Sequence, residues 1–80
     1  MLEEYVKKHD HYCGPSKGMT AITFSDAKTE CSENVNCHMF TDQGGTGDTF
    51  HACENTASIK ESIIGTILYQ KQGNNSHTQF

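Results

Sequence analysis

Residues 31–53 read CSENVNCHMFTDQGGTGDTFHAC and hold three of the chain's four cysteines. His38 adjoins Cys37, His51 lies two residues from Cys53, and Gly44, Gly45 and Gly47 fall between them. Whether these sulfurs are metal ligands, a reactive thiol or covalent staples decides what kind of fold the chain builds. An 80-residue chain buries a modest share of its unfolded surface, so its core alone is marginal. Here only 34% of the residues are apolar and tryptophan is absent. Disulfides, each contributing roughly 2–4 kcal/mol by restricting the unfolded chain, suit such a molecule.

The two rival readings fail on spacing. Zinc has Cys13, Cys31, Cys37 and Cys53 to choose from, with His9, His11, His38 and His51 nearby. Structural zinc sites use C-x2-C or H-x3-H pairs, because a tight turn brings both side chains to one ion. No such pair occurs, so no metal is expected; His9-Asp10-His11 offers at most an adventitious nickel or copper grip. Calcium fails too, since DQGGTGDTFHAC, which contains Asp42 and Asp48, ends in cysteine where an EF-hand loop needs a closing glutamate. A catalytic cysteine wants a histidine base and an oxyanion-stabilising turn. His51 and Cys53 share a face if they lie on a strand, but no nucleophile elbow accompanies them. No catalytic residue and no cofactor is expected.

Outward from the cysteines, SDAKTECSENV (25–35) reads as a helix with Ser25 as N-cap and Asp26 in the first turn. Ala27, Cys31 and Val35 make its apolar stripe. CHMFT (37–41) and DTFHAC (48–53) read as strands of a hairpin around the glycine loop DQGGTG (42–47). CGPSKG (13–18) reads as a loop, MTAITF (19–24) as β-prone, ENTASIKES (54–62) as irregular and GTILYQKQ (65–72) as a last strand. Residues 1–11 are an arm or first strand, 12–72 the folded module, and 73–80 a polar tail. Tyr12, Phe24, Met39, Phe40, Phe50, Ile67, Leu68 and Tyr69 read as core or part-core. The cheapest packing of these parts is α+β: a curled antiparallel sheet cradling one helix. Four cysteines allow three pairings; Cys31–Cys37 with Cys13–Cys53 and Cys31–Cys53 with Cys13–Cys37 both stay open here.

The net charge of −4 argues against nucleic acid, which needs a Lys/Arg patch, and against a lytic helix at an anionic membrane. Protonating all five histidines brings the charge to +1. No apolar run reaches the ~18 residues of a membrane span, and SIIGTILY (62–69) is broken by Gly65 and Thr66, so no membrane insertion is expected. The charged start MLEEYVKKHDHY is no secretory signal, and the domain reads as one module of a longer protein. Asn74-Asn75-Ser76 forms a glycosylation sequon. Polar side chains on the glycine-supported loop make Thr41, Asp42, Gln43, Thr46 and Asp48 the candidate ligand-binding residues.

The order of features — Tyr12-Cys13 and a glycine loop, FSDAKTEC (24–31), a cysteine six residues on, CHMF (37–40), GTGDTFHAC (45–53) and ILYQK (67–71) — resembles the PAN/apple module over residues 12–71. The resemblance implies a disulfide-stapled curled sheet around one helix. It also implies an extracellular adhesion unit, secreted or on a cell surface, that binds a protein or carbohydrate and has no common catalytic residues. It implies the Cys31–Cys37 disulfide, which leaves Cys13 to Cys53. The chain departs from the pattern by having Ala27 and Val35, not a second helix cysteine, one turn either side of Cys31. A stand-alone secreted effector, such as a toxin, inhibitor or signalling peptide, is the alternative. A cytosolic thiol or metal protein is the third, and it requires free sulfurs.

Overall fold

The computed structural model describes residues 5–71. The tail at 73–80, with Asn74, lies outside the described residues. Five strands and one helix follow in chain order: β1 (Tyr5–His9), β2 (His11–Gly18), α1 (Phe24–Glu33), β3 (Met39–Asp42), β4 (Phe50–Glu61) and β5 (Ile67–Lys71). All pairings are antiparallel, in the order β1-β5-β3-β4-β2. The architecture is α+β with two disulfides, Cys13–Cys53 and Cys31–Cys37.

That order forces the sheet to curl. Strands β1 and β2 lie at opposite ends of the ladder, yet only Asp10 separates them in the chain. In a flat sheet the outer strands lie about 19 Å apart, at ~4.8 Å per step. One intervening residue spans only about 7 Å. The sheet therefore bends until its edges meet at Asp10, which takes the left-handed φ of 62° that aspartate tolerates better than most residues. The corner is closed by Ser62 N–H donating to Asp10 O (2.8 Å) and His11 N–H donating to Thr66 O (3.1 Å).

The helix lies on one face of this sheet. Its N-cap is Thr23, not Ser25: Thr23 is extended and its hydroxyl accepts from Asp26 N–H at 3.1 Å, which places Ser25 inside the first turn. The stripe of Ala27 and Cys31 is fully buried. It does not continue to Val35, because Asn34 leaves the helical conformation and accepts from Asn36 N–H on its side chain and from Cys37 N–H on its carbonyl. Val35 is consequently 82% exposed. Cys31–Cys37 clamps this same turn. Beneath the helix, Phe40 is ringed by Tyr5, Phe24, Phe50 and Tyr69 at centroid distances of 5.3, 6.0, 6.3 and 5.1 Å. The Tyr5 hydroxyl reaches Ser32 Oγ at 3.0 Å and ties β1 to the helix. On the opposite face Cys13, Cys53 and Leu68 form a second buried cluster, joined by Met39 and Ala57.

Three segments differ from their sequence reading. CGPSKG lies within β2, because an outer strand tolerates Pro15, which has no N–H for the ladder. ENTASIKES is strand through Glu61, but its register against β2 jumps: Gly14 faces Ser58 whereas Ser16 faces Cys53. The extra residues bulge opposite Pro15, where turn-like composition and strand pairing are reconciled. MTAITF forms no strand; Met19 and Ala21 instead pack against the helix-side core. Of the residues read as core or part-core, Tyr12 and Phe24 sit at its edge, each being 38% exposed.

Candidate functional site: a cleft in the hollow of the sheet

Strand alternation sends Phe40, Phe50 and Tyr69 to the helix and leaves their neighbours Thr41, His51 and Leu68 on the hollow face. β3 ends at Asp42, level with Phe50 at the start of β4 and Ile67 at the start of β5, and the β4–β5 connection returns past this end of the sheet. A cleft of about 470 Å³ opens there, within the size range of small-ligand sites. Thr41, Gln43 and His51 line it from β3, its following turn and β4; Ser16 and Cys13 line it from β2. The connection from β4 to β5 supplies Ser62, Ile63, Ile64 and Thr66. The Cys13–Cys53 disulfide joins β2 to β4 at the side of the cleft, with Cα atoms 5.8 Å apart.

The five loop residues divide between cleft and loop. Thr41 and Gln43 line the cleft. Asp42 is buried, and both its carboxylate oxygens accept from Gly47 N–H (2.9 and 3.1 Å). Thr46 and Thr49 hydroxyls donate to Asp48 Oδ1 at 2.6 and 3.1 Å. These two hydrogen bonds hold the exposed Asp48 carboxyl below the ordinary aspartate range. The stabilisation is complete above the unfolded-state pKa and is lost as pH falls through the folded value. On the helix side, burial and then the Asp42 charge push the Tyr69 phenol up.

Close approach requires one glycine of this loop, and left-handed backbone favours another. Gly45 has φ +67°, and a Cβ placed on it falls 2.7 Å from Gly65 O; Gly47 has φ +80° and open space around it. Both positions penalise any other residue for the left-handed backbone, but only Gly45 adds a clash with main chain that cannot swing away. Gly47→Ala is expected to cost about 1 kcal/mol and Gly45→Ala about 2–3 kcal/mol. Urea unfolding of both variants checks this, and equal costs would show that the Gly45–Gly65 contact is not tight.

His51 and Ser16, together with the turn from Ser62 to Thr66, escaped the sequence reading. The only signal for the turn is a hydroxyl on either side of Ile63-Ile64-Gly65, and the sequence presents His51 as a partner for Cys53. That sulfur is engaged: all four cysteines are disulfide-bonded. Among the described residues no group of three metal-binding side chains converges, and no helix is long and apolar enough to cross a membrane. No family model, curated protein or solved structure matches the chain.

Proposed function

We propose that the chain is an extracellular binding module of the PAN/apple kind, which recognises a protein or carbohydrate ligand as part of a larger secreted or cell-surface protein. The observation that carries this reading is the cleft, built by four segments and tied at its side by a disulfide. Structural disulfides belong to oxidising compartments, and a helix over a curled antiparallel sheet is the form the resemblance implies. Thr41, Gln43, His51, Ser16 and Thr66 offer hydroxyl, amide and imidazole groups for directional recognition, while Tyr12 and the isoleucines supply apolar contact. The oxidised domain is to be screened on arrays of glycans and of extracellular proteins. A ligand is expected whose affinity falls about tenfold in Gln43→Ala and His51→Ala, the size of a lost hydrogen-bonding anchor. An absence of any ligand, or one indifferent to both substitutions, sinks the reading.

A further inference from the structure

We propose that the cleft takes a lysine side chain of a basic protein partner, its ammonium set against the Glu61 carboxylate and its methylene stem against Ile63, Ile64 and Tyr12. This preference rests on the binding-module reading and selects its protein half over its carbohydrate half. Glu61 is the one carboxylate among the residues lining the cleft, and neither lysine nor arginine joins it there. Among the described residues no ion pair or hydrogen bond engages that carboxylate. His11, opposite Glu61 across the ladder, donates its Nδ1–H to His9 O at 2.8 Å instead. Lys60, the preceding residue, runs its stem beside Gly14 and does not line the cleft. The rim of the cleft therefore carries an uncompensated negative charge next to apolar side chains.

The walls suit an aliphatic stem better than a sugar. Ile63 is 98% exposed and Ile64 60%, so both branched side chains stand free beside Glu61. A pyranose ring turns hydroxyls outward, and two isoleucines would leave them without partners. A lysine stem is a run of methylenes that ends in the one group a carboxylate can hold. Tyr12 adds an aromatic ring, whose face attracts an ammonium ion. The rim is also fixed in advance. Ser62 Oγ accepts from Ile64 N–H and Thr66 N–H at 3.2 and 3.3 Å, and Thr66 Oγ1 accepts from Gly44 N–H at 3.0 Å, so docking orders little chain. The net charge of −4 acts in the same direction, drawing a basic partner and repelling an acidic one. A single exposed ion pair contributes little in water, so the cleft selects the side chain while the partner's wider surface supplies most of the affinity.

Butylammonium, butanol, butyrate and glucosamine, each titrated to about 100 mM into the oxidised 15N-labelled domain at neutral pH and constant ionic strength, test this by NMR. Butylammonium is expected to bind with a Kd of about 10–50 mM and to shift the amides of Tyr12, Glu61, Ile63 and Ile64. Butanol binds about three- to tenfold more weakly, and butyrate produces no shift there. Glucosamine, which carries an ammonium on a hydroxylated ring, also binds more weakly than butylammonium. Glu61→Gln removes the advantage of butylammonium over butanol. Glu54→Gln changes the net charge equally from a β4 position outside the cleft and keeps that advantage. Unchanged melting midpoints show that both variants keep the fold. Butyrate binding as well as butylammonium, an ammonium preference that survives Glu61→Gln, or glucosamine as the tightest probe overturns the inference. So does the absence of any shift. If such a result accompanies an array ligand sensitive to Gln43→Ala, the lysine preference falls and the binding-module reading stands. A cleft that holds butylammonium through Glu61 while the arrays yield nothing keeps the preference and removes that reading.

Discussion

Replacing Cys13 and Cys53 together by alanine is expected to remove about 4 kcal/mol of stability, and replacing Cys31 with Cys37 about 2 kcal/mol. The difference comes from loop length: the first bridge joins residues 40 apart and the second residues 6 apart. Closing the longer loop removes more freedom from the unfolded chain. At about 4–8 °C per kcal/mol for a domain of this size, the melting midpoint falls by about 15–30 °C in one case and 8–16 °C in the other. A domain of 80 residues has roughly 4–12 kcal/mol in all, so loss of the long bridge takes the weaker end of that range to unfolding. Native contacts act in the same direction. Cys13 and Cys53 cover Leu68, which is fully buried, and they span the bulge where the β2–β4 ladder is broken. The short bridge reinforces a turn that Asn34 already closes with hydrogen bonds. Calorimetry of the two double variants decides the matter. Equal midpoints, or a larger drop for the Cys31/Cys37 pair, would mean that chain entropy is not what these bridges chiefly supply.

Much of this arrangement is written in local sequence, and the exceptions have a common cause. The i, i+4 spacing of Ala27 and Cys31 marks the buried helix face because a helix repeats every 3.6 residues regardless of what it packs on. Alternation in the segments around Phe40, Phe50 and Leu68–Tyr69 marks strands for the same reason. What local pattern could not convey is decided by partners distant in the chain. Gly14-Pro15 and Gly18 favour a turn by themselves, yet pairing with β4 draws the whole of His11–Gly18 into the sheet. Ser25 and Thr23 are both chemically fit to cap the helix, and the backbone entering the core chooses Thr23. The cleft depends on the chain bending at Asp10 and on the Ser62–Thr66 connection passing beside β2 and β3, which are facts of topology. Of the loop residues, Thr41 and Gln43 reach the cleft because they sit at the end of β3. Asp42 is occupied by Gly47 N–H, and the Asp48 carboxylate accepts from Thr46 and Thr49.

Phe40→Ala is expected to cost about 3–5 kcal/mol, the range for deleting a buried aromatic ring. Phe40 is completely enclosed on β3, the middle strand, which pairs with both β4 and β5. Four rings surround it, and those pairs contribute beyond the area they bury. Ala27 and Cys31 belong to the same cluster, but the Cys31–Cys37 bridge limits how far the helix can settle, so the cavity cannot collapse fully. Phe24→Ala gives the comparison. Its ring touches Phe40 and Tyr69 in the same cluster, yet it is 38% exposed at the helix start, where water can fill the gap. Its loss is expected to cost about 1–2 kcal/mol, less than a fully buried ring. Urea denaturation under oxidising conditions separates the two. If Phe24→Ala proved as damaging as Phe40→Ala, the aromatic cluster would be centred under the helix start, not on the middle strand, and β3 would lose its place as the element that sets the two faces of the sheet.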